Sequence, residues 1–493
     1  MSGGQLLNMS DFFPLADIVG CVINQGVKNY CLQPPFDPPE IFPEFPTLNK
    51  INRDNSIYLL VRQLLFNLGL DKDNVGTKNW NPFKELIKPG QIVLIKPNLV
   101  THEHIRGKEA LYSSISHGSI LRPLIDYVYL ALRGEGSIIV ADNPVASADF
   151  DKIMQFTGIV AMIDELKTRK MANIEIIDLR PKILTETPDG RFKYESRPRD
   201  PLGYVTIDLG SDSAFGELDA KPHLHYYTLA DHSVNHIDPK FQGKSKTDDY
   251  HNPSSHRYIV SRSVLNADVI INVAKMKSHC KAGVSLSLKN MIGIVFEKDC
   301  MPHHRPGLPP DGDSFPYYPA SHFVAARKGY LNLKKWIRFH RFPGVKAFRN
   351  WLQNNKVLVG QQIEHGNWKG NDTIWRTILD LNRIVFYADK NGEMQEKPQR
   401  KFFALVDGVI SQQGEGPMGG HPVATSIIVG GFNPVLVDAL AIKTMGLDFN
   451  TFKSISNANQ FSKWKLMADR EFDLSFSNRT VSNLNFKLSK GWR

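Results

Sequence analysis

The segment AKMKSHCKAGVSLSLKNMIGIV, Ala274 to Val295, sets Lys275, Lys277, His279, Lys289 and Asn290 among small and apolar residues. Lysine is seldom fully buried without a partner, so charge in an interior-like run needs an explanation. Lys275 and Lys277 stand two apart at the end of an apolar strand pattern and therefore share a face. Gly283, Ser285 and Ser287 then lead into LKNMIGIV, whose pattern opens a helix. A strand, a small-residue loop and a helix start make an anion cradle: backbone N–H groups bind the charge, and Lys289 and Asn290 add donors. The alternative is that these lysines pair with structural carboxylates. KPNLV repeats the theme, with Lys96 closing an apolar run and Asn98 following a proline that fixes the turn.

Other residues carry chemistry of their own. DGVISQQGEGPMGGHP, Asp407 to Pro422, is the most glycine-dense stretch and reads as a loop. Its glycines, Gly416 among them, allow backbone to approach a ligand closely. It lacks the GxxxxGK[ST] spacing of a phosphate-binding P-loop. Glu415, an acid among glycines, could serve as a metal ligand or general base; a plain mobile loop is the alternative. Asp438 sits in an apolar helix pattern and needs a partner, for which the lysines are candidates. Histidines recur in short spacings, at His102 and His104, His223 and His225, His232 and His236, and His303 and His304. Such spacings suit a divalent metal, although each pair could equally be structural. Residues 329–360 hold Lys334, Lys335, Arg338, Arg341, Lys346 and Arg349, with aromatic residues at helical spacing and no acid. That pattern fits an anionic membrane surface, or a helix that simply covers its own segment. Nucleic acid is not an expected partner, since no recognised binding motif accompanies the patch.

The elements that position these residues alternate. GQIVLIKPNLV, GSIIVADNP and IEIIDL read as buried strands, with helices over ILRPLIDYVYLALRG and DFDKIMQFTGIVAMIDEL between them. Alternation of this kind implies right-handed crossovers and a mainly parallel sheet. Ligands of such sheets bind beyond the carboxyl ends of the strands, where KPN and ADN fall. VIINVA, KFFALVDGVI and ATSIIVGGF read as further strands, and PVLVDALAIKTMGL as a helix stopped by Gly446. The expected fold is α/β, with mainly parallel sheets and flanking helices in two α/β lobes, plus an inserted basic helical segment. Residues 1–88 form an N-terminal extension and 89–300 the first lobe, irregular over 180–256. Residues 301–375 are the insertion, 376–450 the remainder of the core, and 451–493 a tail.

Composition narrows the function classes. At 493 residues, 42% hydrophobic and 22% charged, the chain is ordinary for a folded protein of two or three units. A net charge of +10 favours anionic partners. Cys21, Cys31, Cys280 and Cys300 form no Cys-x-x-Cys pair, so neither an iron–sulfur cluster nor a disulfide framework is expected. The first residues lack a basic region followed by an apolar run, and no stretch of about 18 apolar residues occurs. A cytoplasmic location is the expectation, with peripheral membrane attachment through 329–360.

Together, KPNLV, ADNP, K-x-K-x-H with SLSLKNMIG, and DG…GEGP with GGFNPVLVDALAIKTMGL resemble a widespread prokaryotic family catalogued as domain of unknown function 362. The likeness runs over roughly residues 90 to 450. Carried over, the motif positions are Lys96, Asn98, His117, Asp142, Lys275, Lys277, His279, Lys289, Asn290, Asp407, Glu415, Gly416, Pro417 and Asp438. Some members carry a ferredoxin-like module, whose cysteines this chain lacks. The resemblance implies that the polar clusters belong together and names no reaction. The expected site has Glu415, Asp142 and His279 as catalytic groups. Lys96, Asn98, Lys275, Lys277, Lys289, Asn290 and Gly416 hold an anionic small molecule or a lipid-linked substrate. A divalent metal is a candidate cofactor, with His117, His223, His225 and Asp407 as ligands. The leading expectation is an enzyme acting on a phosphate- or carboxylate-bearing substrate. A redox or metal-cofactor protein fed by a separate electron donor, and a non-catalytic anion-binding or assembly protein, are the alternatives.

Overall fold

Apolar, β-branched runs flanked by polar residues become the strands of a central sheet. The computed structural model of the chain describes residues 17–48, 50–169, 173–186, 192–219, 246–296, 298–305, 309, 312–314, 366–467 and 483–493. His223, His225, His232, His236 and the basic segment 329–360 lie outside the described residues. The strands in chain order are β1 (Val19–Ile23), β2 (Ile92–Pro97), β3 (Ser137–Asp142), β4 (Ile174–Asp178), β5 (Lys182–Glu186), β6 (Phe192–Ser196) and β7 (Tyr204–Asp208). β8 (His251–Asn252), β9 (Ser255–Ser261), β10 (Val269–His279), β11 (Gly283–Ser285), β12 (Lys401–Gln413) and β13 (His421–Gly431) follow.

One 8-stranded sheet runs in the order β1-β13-β12-β10-β2-β3-β4, with β11 folded back on β10. β12, β10, β2, β3 and β4 are mutually parallel. β13 and β1 close one edge antiparallel. The mainly parallel α/β architecture is as expected, but the two expected lobes are a single sheet. β10, from the first lobe, pairs directly with β12, from the second. All eleven residues of β10 are buried, so it needs a neighbour on each side, and β2 and β12 are those neighbours.

Helices cover both faces. They are α1 (Ser56–Asn67), α2 (Gly118–Leu132), α3 (Phe150–Phe156), α4 (Ile159–Thr168), α5 (Arg262–Asn266), α6 (Ser287–Asn290), α7 (Ile374–Tyr387), α8 (Pro434–Thr444) and α9 (Lys453–Ser456). Alternation along the strands divides the interior in two. Val93, Ile95, Ile271 and Val273 pack with α1, α2 and α4. Leu94, Ile270 and Ala274 pack with α7 and α8. The N-terminal segment is more than an extension. Its five-residue β1 covers the edge of β13, and α1 buries Ile57, Leu60, Val61 and Leu64. Among the described residues no helix is long and apolar enough to cross a membrane.

Candidate functional site

Parallel strands bring their carboxyl ends to one edge, and here β2, β3 and β10 deliver Lys96, Asp142 and the series Lys275, Lys277, His279. Lys96 lies opposite Asn272 in the β2–β10 register, so those two side chains share a face. Lys275, three residues further along β10, points to the other face. The lysines therefore part company. Lys96 donates to Asp142 Oδ1, and both groups are buried. The second oxygen of Asp142 accepts from Leu99 N at 2.7 Å. Lys275 stands opposite Asp407 in the β10–β12 register and donates to it at 2.9 Å, with both side chains fully buried. Tyr30 also donates to Asp407 at 2.8 Å. Lys96 and Lys275 each pair with a buried carboxylate, as the alternative reading of these lysines describes. Their charge is already neutralised, so neither contributes a free cation to a cradle.

Gly293 explains part of the NMIG motif. A Cβ added there would strike Asp142 Oδ1 and Lys96 Nζ. The turn after α6 lies directly on the ion pair, and only glycine leaves room. Gly293→Ala is expected to destabilise by about 1–3 kcal/mol, because a packed charged pair has to move. Chemical denaturation measures this, and an unchanged midpoint would refute the contact.

The backbone donors of the cradle are also taken. Ser287 N and Leu288 N, at the start of α6, donate to Asp438 Oδ1 and Oδ2 at 2.7 and 2.9 Å. Asp438 thus satisfies a helix start from α8 and pairs with no lysine. Burial pushes its carboxyl up to about 8, against the two N–H donors that hold it down.

A row of amides runs from this point toward the strand ends. Asn272 Nδ2 donates to Ser287 O at 2.9 Å. Asn290 Nδ2 donates to Asn272 Oδ1 at 2.7 Å, and Asn98 Nδ2 to Asn290 Oδ1 at 2.9 Å. Lys277 Nζ then donates to Asn98 Oδ1 at 3.0 Å. A main-chain carbonyl can only accept, so Ser287 O fixes the orientation of every amide in the row. Asn98 must present oxygen to Lys277.

At the end of β10, three lysines make no ion pair with a carboxylate among the described residues. Among the described residues Lys277 Nζ donates only to Asn98 Oδ1 and to Ser114 O. Lys281 Nζ is buried with no hydrogen-bond partner. Lys289, half-buried on α6, makes no ion pair with a described residue. Burial pushes the Lys277 ammonium well below its ordinary range, and the nearby charges of Lys289 and Lys275 add to this. Lys281 and Lys289 are each brought down to about 8, chiefly by burial. His279 and His303 belong to the same cluster, each held down by burial and by the charges of Lys281 and Lys289. His279 Nδ1 accepts from Lys281 N at 3.0 Å and from Ala282 N at 3.3 Å, so the neutral ring carries its proton on Nε2.

Other expected members sit elsewhere. Glu415 is exposed, and its Oε1 accepts from Lys490 N at 2.8 Å. The glycine-dense stretch is shorter as a loop than expected, because β12 continues to Gln413. Gly416 does approach backbone closely, but the backbone is that of β10. A Cβ there would strike Ser278 O, and Gly416 O accepts from Cys280 N at 3.2 Å. His117 caps α2 through Nδ1, which accepts from Ser119 N at 3.2 Å, and it stacks on Tyr30 at 4.7 Å. Burial takes its ring down to about 3. Among the described residues, no three His, Cys, Asp or Glu side chains gather as a metal site would require. Lys281 is the site residue that the motif reading passed over. Its signal was its place, a further lysine two residues past His279 in the turn between β10 and β11.

Residues 227–443 match the model of a family described as Domain of unknown function (DUF362). The matched stretch is less than half of the chain and includes the K-x-K-x-H and GEGP motifs that carry the resemblance. It holds β8 to β13, α5 to α7 and nearly all of α8, and with them Lys277, His279, Lys281, Lys289, Asn290 and Asp438. Asn98, Ser114 and the Lys96–Asp142 pair lie before it, so the site joins the matched segment to the β2–β3 region. A crystal structure of a structural-genomics target from Thermotoga maritima aligns at 12% identity and a TM-score of 0.31, covering 79% of this chain and 59% of that one. At that score the likeness carries no argument, and the match spans under two thirds of that protein's length. No curated protein matches the chain.

Proposed function

We propose that the chain is an enzyme acting on a small molecule that bears phosphate or carboxylate, bound at the carboxyl edge of β10. Lys281 and Lys289 hold the anion beside Lys277, and His279, with its proton on Nε2, is the acid–base group. The observation that carries this reading is Lys281, whose Nζ is buried without a partner among the described residues. A buried ammonium that lacks a counter-charge costs several kcal/mol. The carboxylate whose field it feels, Asp313, is already committed elsewhere. Its oxygens accept from Arg305 N at 2.7 Å and Asp372 N at 2.9 Å, and from Thr373 Oγ1. An incoming anion supplies what the fold leaves out. Compensated lysines would support a purely structural core, and Lys96 and Lys275 are of that kind; Lys277, Lys281 and Lys289 are not.

Titration calorimetry with inorganic phosphate and pyrophosphate tests the reading. Lys281 and Lys289 lose charge as pH rises through about 8. Affinity is expected to be highest below pH 7 and to fall at least tenfold by pH 9.5. Binding that ignores pH, or that survives Lys289→Met at full strength in a folded variant, would remove the anion site.

A further inference from the structure

Lys277 has a hydrogen-bond inventory unlike that of an ordinary buried lysine. An ammonium offers three N–H donors, and a neutral amine two donors and a lone pair. Lys277 Nζ meets two acceptors, Asn98 Oδ1 at 3.0 Å and Ser114 O at 2.7 Å, and no carboxylate among the described residues. Both acceptors are fixed. Ser114 O belongs to the main chain, and Asn98 is held oxygen-first by the amide row that ends on Ser287 O. These two bonds use both donors of a neutral amine and leave its lone pair at the fourth tetrahedral position, whereas an ammonium would hold a third N–H there with no acceptor among the described residues. The cation acting most strongly on Lys277 is that of the half-buried Lys289. His279, two residues on, shares its face of β10.

From this geometry we infer that Lys277 is a nucleophilic amine that captures the carbonyl carbon of an anionic aldehyde or keto acid as an imine. The inference rests on the anion site proposed above, since Lys281 and Lys289 would hold the charged end of the same molecule. The lone pair of Lys277 Nζ forms the C–N bond, and the C=O π pair moves to oxygen. His279 Nε2–H donates a hydrogen bond to that oxygen as its charge develops. The nitrogen loses both of its protons to the oxygen, which leaves as water, and His279 ends as it began. The balance is amine plus carbonyl giving imine plus water, with no outside oxidant or reductant. Lysines become effective nucleophiles when an apolar setting or a neighbouring cation keeps them neutral, and Lys277 has both.

Reductive trapping tests this in the intact protein. Pyruvate and glycolaldehyde phosphate serve as carboxylate and phosphate probes, and butanone as a neutral control, each with cyanoborohydride at pH 7, followed by peptide mapping. The expected result is one adduct on the peptide carrying Lys277, at least tenfold above any surface lysine, from one or both anionic probes and not from butanone. It should be absent in Lys277→Met and reduced at least tenfold in Lys289→Met, with folding checked by circular dichroism. No adduct at Lys277, or labelling spread evenly over surface lysines, overturns the imine. Phosphate binding measured in parallel separates the two readings. Binding retained without an adduct overturns the imine alone, whereas loss of both removes the anion site as well. The mapping on unmodified protein decides the question even where a variant fails to fold.

Discussion

Lys281→Met is expected to raise the stability of the ligand-free protein and at the same time to remove most of its phosphate binding. The two effects share one cause. Methionine keeps the length and apolar stem of the lysine and deletes a charge that has no partner among the described residues. Replacing an uncompensated buried ion by an apolar side chain is expected to stabilise by about 1–2 kcal/mol. Losing the same cation should weaken phosphate binding by about ten- to a hundredfold, or roughly 1.4–2.8 kcal/mol. The pH dependence has a definite sign. The Lys281 ammonium titrates near 8 in the folded protein, against about 10.4 in an unfolded chain. Between these values the unfolded chain binds more protons, so the lysine's penalty is fully present below about pH 8 and fades as pH rises toward 10.4. Urea melts at pH 7 and pH 9.5 should show the native protein gaining stability and Lys281→Met gaining less. A destabilised Lys281→Met that still binds phosphate would defeat the account.

Lys96→Met should behave in the opposite way, although it removes the same charge from another buried position. Here the loss strands Asp142, which is 4% exposed and keeps only its backbone donors from Leu99 and Asn143. Breaking a buried pair from one side costs about 3–5 kcal/mol, and the two remaining N–H donors place this case toward the lower end. Asp142→Asn in the same background should recover part of the loss, because the unpaired charge disappears while one acceptor oxygen remains. A double-mutant cycle by chemical denaturation reads the coupling. A Lys96→Met protein as stable as the parent, within about 0.5 kcal/mol, would show that the pair is not what holds the β2–β3 edge to Gly293.

These contrasting lysines show how far the chain could be read in advance. Strand positions were legible because apolar runs of five or six residues punctuated by glycine leave little choice, and β2, β3, β4 and β10 fall where the pattern puts them. The single sheet was not legible, since nothing local in KFFALVDGVI says that it will lie beside VIINVA across more than a hundred residues. Polar residues at the strand ends were also legible, but their partners were not. Lys96 and Lys277 look alike in sequence, and only the strand neighbours that bring Asp142 to Lys96 and Asp407 to Lys275 sort paired lysines from unpaired ones. Asp438 was visible as a carboxylate in need of a partner. That its partner would be two backbone N–H groups of α6 depends on how α8 packs over the sheet. Glu415 drew attention through its glycine neighbours, which instead serve the close approach of two backbones.

The amide row bears on how this site could change through descent. Its three asparagines, Asn272, Asn290 and Asn98, form a sentence that can be read in one direction only, because Ser287 O sets the first word. Aspartate, serine or histidine at any one position would reverse or break the order, and the error would reach Lys277, several side chains away. A lineage could therefore not drift through these positions one at a time. Related chains should either inherit all three amides together or have replaced them as a set, along with whatever chemistry Lys277 performs.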